Sequence, residues 1–189
     1  MKNLVQKLLF LAKGEISKIN TNFQIIEMKE FIQQIYNDTE VSTKTHKIYL
    51  ERDDVYEVKA DVTLLQQAIR ALLENAMKYS EKGTNVYIKS SIIDGKNGEV
   101  SIRDEGVGIS EEDSRRIFDR FYRVDDSRTK ATGGTGLGLA IVKRIVELHK
   151  GEIKINSELG KGTEISIVLP LVTQKTEIVP QRLRTNKKI

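Results

Sequence analysis

Cysteine and tryptophan are absent from this chain, and proline and histidine occur only twice each in 189 residues. Without cysteine there are no disulfides, no thiolate zinc sites and no cysteine nucleophile, a composition that suits a reducing compartment. His46 and His149 stand far apart in the sequence, which disfavours a histidine-based metal cluster. No apolar run approaches the ~20 residues of a membrane-spanning helix, and no secretory signal follows Met1. The chain is expected to be soluble and cytoplasmic as it stands.

Aromatic residues are also scarce, at 6%, whereas charged residues reach 31% and apolar ones 39%. That balance suits one folded domain with a short appendage. The formal net charge of +4 gathers in residues 172–189, where Lys175, Arg182, Arg184, Lys187 and Lys188 meet only Glu177. The body is close to neutral, so no nucleic-acid surface is expected, and the tail is read as disordered and solvated.

Periodicity supplies the elements. Leu4, Val5, Leu8, Leu9, Leu11 and Ala12 fall at helical spacing before Gly14, and residues 1–19 read as the end of a bundle helix plus a linker. A helix is expected from Met28 to about Thr43. Lys47 to Arg52 and Val55 to Lys59 alternate like two strands of a hairpin turning at Asp53-Asp54. Asp61 is the expected cap of a helix reaching Tyr79, with Leu64/Leu65, Ala68/Ile69, Leu72/Leu73 and Ala76/Met77 as its stripe.

Strands follow at Asn85 to Ile93 and Glu99 to Arg103, then a helix from Ser110 to about Tyr122. The segment from Arg123 to Thr135 lacks periodicity and reads as a mobile flap. A helix from Gly136 to His149 and strands at Glu152 to Ser157 and Thr163 to Leu169 complete the series. Residues 20–171 are thus expected to form an α/β fold, a two-layer α/β sandwich with a mostly antiparallel sheet covered by helices on one face.

Three features carry chemistry. Asn75 offers a neutral oxygen to a hard cation beside phosphates. Asp104, followed by Gly106 and Gly108, holds a carboxylate where the chain turns sharply, suited to accept a hydrogen bond from the exocyclic amine of adenine. Gly134, Gly136 and Gly138 let the backbone approach phosphates where a helix begins. Each has an ordinary alternative: a satisfied helix Asn, a turn cap, a glycine-rich turn. Neither the Walker A lysine nor a G-x-G-x-x-G pattern is present, which disfavours the P-loop and Rossmann classes.

Leu73-Glu74-Asn75-Ala76-Met77-Lys78-Tyr79-Ser80, Asp104-Glu105-Gly106-Val107-Gly108-Ile109, Ile117-Phe118-Asp119-Arg120-Phe121-Tyr122-Arg123 and Gly134-Thr135-Gly136-Leu137-Gly138-Leu139 come in that order. They resemble the N, first glycine, F and second glycine boxes of sensor histidine kinases, whose catalytic domain has the Bergerat ATP-binding fold. The resemblance implies ATP and Mg²⁺ as ligands. It makes Asn75 the metal ligand, Lys78 and Tyr79 phosphate or ribose contacts, and Asp104 and Thr163 the adenine end. Gly106, Gly108 and Ile109 would shape the base pocket, with Gly134, Thr135, Gly136, Leu137, Gly138 and Leu139 along the phosphates. Phe118 and Phe121 would anchor the lid, with ordinary helix packing as the alternative. Arg123, with Lys78 and Asn75, would act in transfer.

The same resemblance implies partners: a dimerisation domain carrying the phosphoacceptor histidine, whose second helix would end in residues 1–19, and a response regulator. It implies a homodimer for the intact kinase, attached to the bacterial plasma membrane, with this portion alone monomeric. The phosphoacceptor box is absent from the 189 residues, and His46 and His149 read as structural. Ala71 stands where the family usually has a second Asn. Two alternatives stay open: a catalytically weakened ATP-binding interaction module, and an anti-sigma-factor serine kinase.

Overall fold

A computed structural model describes residues 10–11, 20–124 and 135–172. Asp61 begins the main helix as its spacing predicts: its Oδ1 accepts the Leu64 N–H at 3.1 Å, relieving one of the orphan donors of the first turn. From there Val62–Tyr79, labelled α2, buries Leu65, Ala68, Ile69, Leu72, Leu73 and Ala76 along one face. Each large side chain in that stripe contributes roughly 1.5–3 kcal/mol by leaving water.

Before it come β1 (Phe23–Glu27), α1 (Met28–Ser42), β2 (Lys47–Asp53) and β3 (Glu57–Asp61); after it come β4 (Asn85–Ile93), β5 (Asn97–Asp104), α3 (Glu111–Ser114), α4 (Gly138–Leu148), β6 (Glu152–Glu158) and β7 (Gly162–Pro170). Five strands form one sheet in the order β2-β4-β5-β7-β6, with β2 parallel to β4 and the remaining pairs antiparallel. Helices α1, α2 and α4 contribute Ile32, Ile35, Leu65, Ile69, Leu73, Ile141 and Ile145 to the core cluster, together with Val86, Ile88, Val100, Ile102, Ile165 and Ile167 of the sheet. This is the expected two-layer α/β arrangement.

The expected hairpin at Asp53-Asp54 does not form. β2 pairs with β4 in parallel, while β3 leaves the sheet and pairs antiparallel with β1. Two side chains direct that divergence. Asp54 stays alongside β4, its Oδ2 accepting the Ile92 N–H at 3.0 Å and the Arg52 Nη2 at 2.8 Å. Tyr56 then dives into the core, hydrogen-bonded to Ser90 Oγ at 2.8 Å, with its ring against Gly98, where any Cβ would stand 2.1 Å from Tyr56 Cε2.

The helix expected from Ser110 to Tyr122 is shortened to Glu111–Ser114. Tyr122 reaches back to Asp113 at 2.6 Å, and Phe121 takes a positive φ of 65°, which a continuing helix does not admit. Likewise α4 begins at Gly138 and not Gly136, since Gly136 has φ 68°. Of the expected N-terminal helix only Phe10 and Leu11 are described, both helical, with Leu11 4% exposed within the core cluster. The flap residues 125–134, Gly134 among them, and the tail from 173 lie outside the described residues.

Candidate functional site

Two helix ends and two turns build the site. Gly138 opens α4, and the first N–H groups of this helix have no partner within it, so they favour an anion. A Cβ at Gly138 would meet nothing within 4 Å. Gly138 and Ile141 of α4 and Ala71, Glu74 and Asn75 of α2 line one cleft of about 380 Å³. Asn75, half-buried, thus comes next to the start of the glycine-led helix, as the sequence suggested.

Lys78 sits one turn further along α2, its Nζ 5.1 Å from the centre of the Tyr79 ring, which itself is 41% exposed. The Tyr79 carbonyl joins the two halves of the site. It accepts the Val107 N–H at 3.2 Å and faces Gly106 so closely that a Cβ there would lie 2.3 Å from it. The turn after β5 therefore rests on the end of α2.

Asp104 closes β5 and is only 8% exposed. Its Oδ1 accepts the N–H groups of Gly106 at 2.8 Å and Thr163 at 3.2 Å. No hydrogen bond among the described residues falls on Oδ2. Burial pushes the carboxyl above its ordinary value, against the opposing pull of those two backbone donors. The result is a fixed carboxylate with one oxygen held and the other available to a ligand.

Backbones converge around it with no room for side chains. A Cβ at Gly108, which has φ 68°, would lie 2.0 Å from the Glu158 carbonyl oxygen, and one at Gly162 the same distance from that of Asp104. Sequence reading singled out Gly106, Gly108 and Thr163 but missed Gly162 and Ser157. Ser157 Oγ takes the Ile109 N–H at 2.8 Å and lies 2.9 Å from Thr163 Oγ1, tying the turn after β5 to the turn between β6 and β7. The alternation of β6 opposite Thr163 was the available signal.

The remaining predicted residues divide. Phe118 is half-buried against the core, and Phe121 is 59% exposed, its N–H donating to the Gly136 carbonyl at 2.9 Å. That bond clasps the F segment to the second glycine run, and a Cβ on Gly136 would crowd the Phe121 backbone at 2.7 Å. Leu137 is fully buried, its carbonyl accepting the Ile141 N–H at 3.0 Å, and Leu139 packs against the core, so both side chains are taken up by the fold. Thr135 is exposed and Arg123 half-buried.

Both histidines are structural. His149 Nε2 accepts the Asp61 N–H at 3.0 Å, so its Nδ1 carries the hydrogen donated to the Ile145 carbonyl at 2.7 Å. His46 bridges Thr45 and Ser80. Among the described residues no group of three or more His, Asp or Glu is placed to hold a metal ion. The donor set suits a hard cation that keeps waters and phosphate oxygens and takes the Asn75 amide oxygen from the protein.

Comparison with known proteins agrees with this fold. The model for histidine kinase-, DNA gyrase B- and HSP90-like ATPases matches residues 60–173. The sensor histidine kinase WalK of Bacillus subtilis is 38% identical over 177 residues, which is 90% of this chain and 28% of WalK. Among solved structures, the mycobacterial sensor histidine kinase MprB has a TM-score of 0.69 at 29% identity, covering 79% of this chain and 98% of that one. Full-length ShkA in complex with AMPPNP has a TM-score of 0.77 at 28% identity, covering 90% of this chain and 36% of ShkA.

Proposed function

The chain belongs to the histidine kinase-, DNA gyrase B- and HSP90-like ATPases, in the branch of the sensor histidine kinases, and from that membership we propose how its site works. ATP binds between α2, the turn after β5 and the start of α4. Asp104 accepts the adenine amine on Oδ2, Thr163 completes that end, and Gly106 and Gly108 give the base its space. The phosphates lie toward Gly136 and Gly138 at the α4 N-terminus, with Lys78 and Tyr79 flanking them. Mg²⁺, with Asn75 as its protein ligand, would neutralise charge on the phosphates.

The γ-phosphoryl passes to an imidazole nitrogen on a separate dimerisation domain, ADP leaving, and from phosphohistidine to an aspartate of a response regulator. This chain supplies binding, orientation and charge stabilisation, which phosphoryl transfer chiefly requires. Arg123, at the base of the flap, is assigned to the transferring group. The observation that carries the reading is Asp104, buried, with Oδ1 held by two backbone donors and Oδ2 open.

ShkA, similar over most of this chain, binds the ATP analogue AMPPNP, which supports the same ligand here. The chain spans 28% and 37% of the length of two curated relatives it matches, so dimerisation and membrane attachment are proposed for the whole kinase. No described helix is long and apolar enough to cross a membrane. Incubation with γ-labelled ATP and an isolated phosphoacceptor hairpin tests the assignment. Acid-labile, base-stable label on the hairpin is expected; nucleotide binding with no label on histidine would favour the ATP-binding interaction module.

A further inference from the structure

Ser157 on β6 and Thr163 on β7 are direct partners in the ladder, so their side chains leave the sheet on the same face. The Ser157 hydroxyl has three polar neighbours: the Ile109 N–H at 2.8 Å, the Gly162 carbonyl at 3.0 Å and Thr163 Oγ1 at 2.9 Å. A hydroxyl has one hydrogen and two lone pairs. The Gly162 carbonyl can only accept, so the Ser157 hydrogen goes there. The Ile109 N–H fills one lone pair, and Thr163 must donate its own hydrogen to the other. All three contacts are then satisfied, and both Thr163 lone pairs remain.

We propose that Ser157 is a positioning residue for base specificity. By drawing the Thr163 hydrogen toward β6, it leaves Thr163 Oγ1 as an acceptor on the residue whose N–H holds the Asp104 carboxylate by Oδ1 at 3.2 Å. The end of the pocket then carries acceptors only. An exocyclic amine, with two N–H donors, satisfies both; a carbonyl at the same place meets lone pairs on every side. Without Ser157 the Thr163 hydroxyl is free to turn its hydrogen inward and tolerate a carbonyl-bearing purine. The inference rests on the adenine reading of this site.

Titration calorimetry of ADP and GDP against the wild-type chain, Ser157→Ala and Ser157→Thr tests it, with melting curves to establish that each variant is folded. Wild type is expected to prefer ADP. Ser157→Ala is expected to lower the GDP-to-ADP ratio of dissociation constants by about three- to ten-fold, the worth of one hydrogen bond, while Ser157→Thr, which keeps a hydroxyl, retains it. Thr163→Val, which removes the acceptor, lowers the ratio too and reads the same arrangement should Ser157→Ala not fold.

Equal weakening of ADP and GDP by Ser157→Ala would make Ser157 a mere staple of the two turns and overturn the proposal, as would an unchanged ratio in Thr163→Val. A wild-type chain that binds neither nucleotide removes the adenine reading itself, and this inference with it. A chain that binds ADP with a ratio indifferent to these substitutions removes the inference alone.

Discussion

A carboxylate with one oxygen saturated by backbone donors and the other left open stays in a buried turn at a cost in desolvation, which is the reason its carboxyl is raised. Because the protonated form is the easier one to bury, ionisation of Asp104 works against folding. Its contribution to the stability of the unliganded chain is fullest below the ordinary value of 3.8 and is lost as pH rises through the folded value. In the proposed adenine contact, binding runs the other way, since the amine needs the ionised acceptor. ADP affinity should therefore rise with pH across the Asp104 titration, and Asp104→Ala, in which base and phosphates titrate as before, should lack that increment. At neutral pH the same substitution removes a charge-assisted hydrogen bond of about 1.5–3 kcal/mol, so calorimetry should read roughly a ten- to hundred-fold loss. An unchanged dissociation constant takes Asp104 out of the pocket.

Glycines at this scale separate two effects that sequence reading merges. Gly108 and Gly160 both have positive φ, 68° and 79°, but a Cβ at Gly160 meets nothing within 4 Å and one at Gly108 meets the Glu158 carbonyl at 2.0 Å. Gly160→Ala should cost only the left-handed conformation, about 1–2 kcal/mol. Gly108→Ala carries the same strain plus a displacement of the turn that shapes the base pocket. Denaturant unfolding should rank Gly108→Ala as the less stable, and only Gly108→Ala should also weaken ADP. Comparable ADP affinity in the two would mean that the turn shifts without consequence for the pocket.

Among the elements, α2 was legible because its pattern is local: a stripe every three or four residues and an Asp at the cap. The hairpin was misread for the opposite reason. Alternation in Lys47 to Lys59 marks strands but says nothing about partners, and the parallel pairing of β2 with β4 joins segments separated by all of α2. Ser110 to Tyr122 failed where a tertiary contact, Tyr122 to Asp113, overrode helical spacing. Asn75 and Asp104 were singled out by residue type and position, and Thr163 by the family resemblance. Ser157 offered only its place in the β6 alternation, and a serine on an edge strand looks like any solvent-facing residue until its three neighbours are known.

His149 belongs to this scale because it bolts elements together. It joins the C-terminal end of α4 to the capped start of α2 through Asp61, whose Oδ2 also accepts the Asn22 N–H at 2.8 Å, with the Phe23 ring 5.0 Å away. His149→Ala leaves the Asp61 N–H and the Ile145 carbonyl with an acceptor and a donor missing, beside a small cavity. Together these are expected to cost about 2–4 kcal/mol, seen as a lower urea midpoint at unchanged slope, without a change in ADP specificity. A midpoint equal to wild type would contradict the bolt.

For the molecule as a whole, the boxes converge from positions distant in sequence because the sheet order returns β7 beside β5 and the start of α4 beside α2. In the proposed site, binding and transfer separate in space on that frame: base recognition is assigned to the β5 and β7 ends, whereas Arg123 follows the Phe121–Gly136 clasp by two residues. A guanidinium that engages the transferring group adds little to ground-state binding if its contact tightens only as charge redistributes. Arg123→Ala should then leave the ADP and ATP dissociation constants within about two-fold, less than the ~0.5 kcal/mol typical of a neutral surface substitution. The rate of labelling of a supplied phosphoacceptor hairpin should fall by about a hundred-fold, of the order seen when one transition-state donor is removed. Single-turnover transfer at saturating ATP separates the two quantities, and a wild-type rate there would return Arg123 to the surface and place the responsible cation elsewhere in the intact kinase.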